Sequence, residues 1–438
     1  MESVRNTYVE RRLKPLFDLV DRWVPEQYEP RTTLGARDFA VAVLLGAVAA
    51  QIALFGYWQF DPLLYSDPEG YNVWFEADAP RVLGALLDRT SKYHVRNEVH
   101  PIFSLLSWPV FSMLTSAGLT AMQAGAALTA VSGFLASAFL FLALRGLGLP
   151  LFAGILFVAV FLSSAAYLHW FTVLETFAVG SATICFSLFV LTAISSRRLW
   201  VWGVASVATL AITTTNWLIW LSSAFFRLAF RRFLQVAILA VVIVIGLSIV
   251  QSIYMPTARL FFLPQSFANE VRWVRAGREG WRPDRNLQSI VVASAVAPAP
   301  AEGTHFGKGG VLTPIVSYQA APLFSYGPAG AVAIVCWLGL LGTGIYGGVT
   351  NIRRRAVFLG AGGFVAAQAG LHLVYGAETF LYASHYFPAM VLIASLGWFT
   401  PLRWVVVGAA AVFVVAGGIE NLNSFEASVR LANDIVTR

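Results

Sequence analysis

The residues able to do acid, base or phosphate chemistry are unevenly spread along this chain. Seven of the 23 Asp and Glu lie at or before Asp38, and the other sixteen, with all six His, fall in segments that the charge of the short loops places on the non-cytoplasmic face. The richest stretch, FDPLLYSDPEGYNVWFEADAPRVLGALLDRTSKYHVRNEVHPIF, holds Asp67, Asp78, His94, Arg96 and His100. Asp78 stands out because closely flanking apolar residues would desolvate it, and desolvation raises a carboxylate towards the working range of a general base. Glu175, in AAYLHWFTVLETFAVG, ends a span with no basic residue nearby in sequence. A carboxylate so placed calls for a partner or a substrate, and His169 is the structural alternative. Glu378 in GAETFLYASHYFP stands near Tyr382 and His385, either as a substrate contact or as a buried hydrogen-bonded pair. Arg272, Arg275 and Arg278, with Arg282 and Arg285, alternate with Trp273 and Trp281. Arginine forks grip phosphate bidentately, and a solvated basic loop is the plainer reading. Asn216, after three threonines, reads as a helix cap.

Other chemistries find no support. No Walker loop, dinucleotide fingerprint, Ser-centred elbow or Cys/His zinc spacing is present. Cys185 and Cys336 both lie inside apolar runs and read as small core residues. No cofactor is called for, and a divalent metal has no clear motif.

The elements that position these residues must be membrane helices. The chain is 58% hydrophobic and only 12% charged over 438 residues, against roughly a quarter charged in soluble domains. The net charge of +7 fits the basic cytoplasmic loops of a multispan protein and does not require a nucleic-acid partner. The expected fold is an all-α polytopic membrane protein of about eleven spans, near 37–58, 121–144, 150–167, 174–196, 199–213, 216–230, 233–255, 327–350, 356–375, 385–401 and 403–419. Short loops carry Arg145, Arg197, Arg198, Arg227, Arg231, Arg232, Arg353, Arg354, Arg355 and Arg403, whereas the alternate short loops carry no basic residue. Those arginines mark the cytoplasmic side. Residues 101–118 look like a further span, but counting it would invert every loop downstream. They are therefore expected not to cross. Residues 1–36 read as a cytoplasmic tail with an amphipathic helix from Leu13 to Val24, too polar for a signal-peptide core. Residues 37–419 form the membrane domain, with outer loops 59–120 and 256–326, and 420–438 form an outer tail. Trp74, Phe75, Val82, Leu83, Leu86 and Leu87 are expected on one amphipathic juxtamembrane helix, after a turn at Asp67-Pro68-Glu69-Gly70.

An inside tail, one span, then an outer loop with an acidic residue followed by His100-Pro101 before an apolar segment resembles the GT-C glycosyltransferases. Protein O-mannosyltransferases and lipid A aminoarabinose transferases are the types it is most similar to, mainly over residues 37–200. The resemblance implies transfer of a sugar from a polyprenyl phosphate to a lipid, glycan or protein acceptor, expected as an inverting reaction at the outer (periplasmic or extracellular) face of the plasma membrane. It implies a first-loop carboxylate as base or donor ligand, which Asp78 fits, with Asp67 as rival. It also implies a second acid in the next outer loop, which Glu175 fits. Arg272, Arg275, Arg278, His100 or His385 would hold the donor phosphate, with His94, Arg96, His169, Glu378 and Tyr382 as further substrate contacts. The sequence departs from the family in having His100-Pro101-Ile102 where His/Lys-Pro-Pro-Leu is usual, and no Asp-Glu or Asp-X-Asp pair. A lipid-linked sugar flippase without transferase chemistry is the competing class.

Overall fold

A computed structural model describes residues 33–66, 72–271, 273–277, 281–306, 312–322, 325–376 and 378–438. The tail helix expected before residue 33, and the turn at residues 67–70, lie outside these residues. Helices dominate: α1 Ala36–Tyr57, α2 Ala79–Leu87, α3 Phe103–Ser116, α4 Ala121–Leu147, α5 Leu151–Leu162, α6 Ala165–Trp170, α7 Thr176–Ala193 and α8 Leu199–Ile212 come first. They are followed by α9 Trp217–Phe225, α10 Phe230–Tyr254, α11 Pro264–Val271, α12 Pro283–Gln288, α13 Pro328–Thr350, α14 Arg355–Val374, α15 Ala383–Ser395 and α16 Arg403–Thr437. An antiparallel hairpin, β1 Ala301–Phe306 with β2 Leu312–Ser317, is an unforeseen addition to the helical fold.

Among the described residues, eight helical segments are long and apolar enough to cross a membrane. These are α1, α4, α7, α10, α13, α14 with its 3-10 lead-in, Thr379–Phe399 around α15, and α16. The chain is thus a polytopic helical membrane protein. Each remaining expected span is helical but short: α5 has 12 residues, α8 has 14 and α9 has 9. At about 1.5 Å per residue none covers a hydrocarbon core of roughly 30 Å. Helix α3, within residues 101–118, is also short at 14 residues and carries Pro109 inside it. The predicted span at 174–196 begins two residues late, because α7 starts at Thr176 and leaves Glu175 outside the helix as its cap.

Small residues let these helices approach closely, as expected where lipid gives no hydrophobic drive between them. Ala42, Gly46, Ala49, Ala53 and Gly56 form one buried face of α1, and a Cβ on Gly46 would come within 2.8 Å of Phe134 on α4. Helix α15 lies at the centre, with every residue buried, as a helix enclosed on all sides must be.

Helix polarity divides the bundle into two ends. At one, Tyr57 ending α1 meets Met122 starting α4, and Ile102 donates to the Ala211 carbonyl ending α8. There too Leu105 donates to Gln251 near the end of α10, and Gln368 of α14 donates to Thr215 beside α9. At the other, Arg145 ending α4 pairs with Asp38 starting α1 at 2.6 Å. Arg227 donates to Ile194 after α7, and Arg354 sits 3.3 Å over the Phe399 ring. The short-loop arginines therefore gather opposite the end that holds the acids and histidines.

Residues 420–438 do not form a separate tail, because α16 runs on through them for 35 residues in all. On that extension Asn421, fully buried, accepts from the Ala297 N–H at 2.7 Å and donates to the Ser163 and Ala295 carbonyls at 2.8 Å. Asn421→Leu would leave the Ala297 N–H and the Ser163 carbonyl without this partner, and the Ala295 carbonyl with the Ala165 N–H alone. It is expected to cost at least ~2 kcal/mol, read as a fall in thermal midpoint in detergent.

Candidate active site

The first loop does not form the expected single amphipathic helix. Trp74 and Phe75 precede α2 and are buried in the core. Trp74 bridges Val316 of β2, and Phe75 packs edge-on or tilted against Tyr318 and Phe380 at 4.7 and 5.0 Å. Between these anchors Phe75 and Glu76 adopt left-handed backbone angles, with φ of 49° and 64°. Such conformations cost about 1–3 kcal/mol each in non-glycine residues and persist only where surroundings enforce them. The turn delivers Glu76 and Asp78 to a cavity, with Asp78 just before the first residue of α2 and its carboxylate free of any capping bond to that helix.

That cavity, of about 510 Å³, opens at the acid-rich end of the bundle and falls within the 300–1,000 Å³ usual for ligand sites. Onto it open Asp78, Arg81, Arg96, His100, Glu175, Glu270, Tyr382 and His385. Six segments far apart in sequence meet there: the first loop, the start of α7, the junction of α8 and α9, the stretch from Phe261 through α11, the end of α14 and the start of α15. Apolar wall is supplied by Phe177, Leu210, Trp217, Phe261 and Phe267.

Asp78 is heavily engaged. It pairs with Arg81 and with Arg96 at 3.5 Å, and accepts from Asn72 at 3.1 Å. Arg96 also binds Glu270 of α11 at 3.2 Å, and Glu270 accepts from Tyr375. The arrangement is an alternating acid–arginine chain along the cavity wall. A second clasp lies nearby, where buried Glu98 accepts from Arg259 at 3.3 Å and Asn269 at 3.1 Å.

Glu175 has a different environment. It is 3% exposed, and one oxygen accepts from its own helix's Thr176 N–H at 3.0 Å. Burial pushes its carboxyl up to about 7, against smaller opposing effects of the Thr176 N–H, Arg81 and Arg96. His100 places Nδ1 3.0 Å from the Ile212 carbonyl, which can only accept. Nδ1 therefore carries the proton and Nε2, 3.5 Å from Thr176 Oγ1, is an acceptor. Burial, aided by Arg96, holds this imidazole down to about 3. A neutral His100 is no cationic phosphate clamp.

Two buried side chains beside the cavity lack internal partners. Asn216 is 0% exposed with neither amide atom hydrogen-bonded, and His385 is 1% exposed with neither ring nitrogen bonded, among the described residues. Each unmet buried group costs about 1–3 kcal/mol.

Several sequence candidates are not brought to the cavity. His94 is buried between Ser104 Oγ at 3.1 Å and the Asp88 carbonyl at 3.0 Å. His169 bonds the Ala165 carbonyl at 2.9 Å and Tyr318 at 2.6 Å and stacks on Trp74. Both are structural histidines. Glu378 accepts from Ser317 behind the cavity wall, and burial lifts it to about 8. Arg275 is anchored through its backbone to the Val374 carbonyl at 2.7 Å and does not line the cavity. Asp67, Arg272 and Arg278 lie outside the described residues. Glu270 and Tyr375 escaped the sequence reading, and Arg81 is legible there only as the polar-face residue three after Asp78. A signal existed for Glu270: Leu263 and Val271 are exposed, while Ser266 and Glu270, four residues apart on α11, both line the cavity.

Among the described residues no group of three or more His, Cys, Asp or Glu is arranged to hold a metal ion. Compared with known proteins, the chain matches no family model, no curated protein and no solved structure.

Proposed function

We propose that this is an integral-membrane glycosyltransferase that moves a sugar from a polyprenyl phosphate to a lipid, glycan or protein hydroxyl. The observation that carries it is a single cavity joining a buried carboxyl poised near neutrality, two guanidiniums and an apolar wall. The wall suits a prenyl chain, and the guanidiniums suit its phosphate. On this reading the arginine-rich end faces the cytoplasm and the cavity faces outward. Helices α5, α8 and α9 complete eleven crossings as short helices inside the bundle, and α3 stays at the outer interface.

Glu175 acts as the base in this scheme, ahead of Asp78. Asp78 already neutralises two arginines, so less of its charge is free to draw a proton, and it serves to hold the guanidiniums in place. The acceptor oxygen attacks the anomeric carbon while its proton passes to Glu175. The bond from that carbon to the phosphate oxygen breaks, its electrons leave with polyprenyl phosphate, and Arg81 and Arg96 stabilise the departing charge. Attack opposite the leaving group inverts the anomeric centre.

The test is a transfer assay in nanodiscs with a polyprenyl-phosphate hexose donor on folded Asp78→Asn and Glu175→Gln proteins. Both should lose transfer, Glu175→Gln mainly in kcat. Undiminished turnover in both would sink the assignment. Movement of intact donor across the bilayer without cleavage would favour the flippase.

A further inference from the structure

We infer that Asn216 and His385 form a subsite for the hydroxyl groups of an uncharged sugar ring, deepening the transfer reading on which its biological setting rests. Asn216 lies between Thr215 and Trp217, and His385 opens directly onto the cavity. The two pack side by side against Gly180 of α7, which has no side chain to hold them off. A Cβ there would lie 2.7 Å from Asn216 Nδ2 and 3.2 Å from His385 Nε2. All four of their polar side-chain atoms are buried and unpartnered among the described residues.

The donor–acceptor pattern selects the ligand. An amide offers both donors and an acceptor, and a neutral imidazole offers one of each. Phosphate and carboxylate oxygens only accept, so an anion would set its charge against Asn216 Oδ1 and the unprotonated imidazole nitrogen. An ammonium only donates and would leave the amide N–H groups unmet. Hydroxyls do both, and two on adjacent ring carbons match two side chains that each do both. The surroundings agree. Phe177 meets His385 edge-on at 4.9 Å and Tyr382 stacks on His372 at 3.8 Å, giving apolar faces for ring C–H groups. The guanidiniums stand apart, paired with Asp78 and Glu270, where a phosphate would compete for them.

The experiment is calorimetric binding to the full chain in nanodiscs. The probes are citronellyl glucoside, galactoside and mannoside, which lack phosphate, and citronellyl phosphate, which lacks sugar. At least one hexoside should bind, and Asn216→Leu, His385→Leu and Gly180→Ala should each weaken it ~10-fold or more while leaving citronellyl phosphate binding unchanged. Asn216→Leu should hold or raise the thermal midpoint, since it removes unmet polar atoms, whereas loss of a structural role would lower it. No hexoside binding, or hexoside binding indifferent to all three substitutions, overturns the subsite. Hexoside binding that depends on these residues with no binding of citronellyl phosphate keeps the subsite and rejects the polyprenyl-phosphate donor.

Discussion

Glu175→Gln is expected to lower the turnover of sugar transfer by at least ~100-fold, the usual range for removing a positioned base. The pH profile separates this from a folding defect. Wild-type turnover should rise with pH through about 7, where Glu175 loses its proton, and the residual rate of the variant should be flat there. Stability should move the other way. The folded carboxyl is raised above its unfolded value, so its contribution is fully present below the unfolded value, near pH 4, and is lost as pH rises through about 7. At pH 8 the wild type carries a buried charge that the glutamine lacks. The variant should therefore melt higher than wild type at pH 8 and close to it at pH 5. A variant that melts lower at both pH values and keeps the wild-type profile would remove Glu175 from the chemistry.

Arg96→Ala should be the most damaging substitution on the cavity wall. Arg96 bridges Asp78 at 3.5 Å and Glu270 at 3.2 Å, so its loss leaves Glu270 without a guanidinium and Asp78 with Arg81 alone, and their uncompensated charge repels an incoming phosphate. Transfer efficiency, kcat/KM, should fall ~100–10,000-fold, with much of the loss in KM for the donor. Stability should fall by about 1–3 kcal/mol, below the full cost of breaking a wholly buried pair because these side chains keep some solvent contact. Arg96→Lys should restore stability more than activity, since a point charge cannot bond two acids and a phosphate through one planar fork. Equal rescue of both by lysine would make Arg96 a purely electrostatic strut.

The apolar runs announced the helices because period and composition act locally, and every expected span is helical in place. Span lengths were less legible. Asn216 was readable as a cap and Arg227 as a loop residue, but nothing local reveals that the helix between them stops at Phe225, short of the expected 230. The acids at Asp78 and Glu175 were readable as desolvated carboxylates, and both reach the cavity. Their roles were not readable, since Asp78 is separated from Arg96 and Glu270 in sequence and only the fold brings those charges together. His94 and His169 show the converse. Ser104, Tyr318 and Trp74 satisfy them, and those contacts have no sequence signature. The left-handed turn at Phe75 and Glu76 was invisible for a different reason: neither residue prefers it, and remote packing against β2 and Phe380 imposes it.

The central helix α15 also constrains how the protein is made. It is the core of the least apolar of the eight span-length segments, and Ser384, His385 and Ser395 are buried on it with no face turned to lipid. A segment that meets only protein in the finished molecule gains little from entering lipid alone. Its insertion should therefore depend on companions already in place, and α13 and α14 precede it in the chain. Deleting α13 and α14 together, which preserves the direction in which α15 would cross, should leave it outside the bilayer, visible as glycosylation of an engineered acceptor site beyond its far end changing between the deleted and full chains.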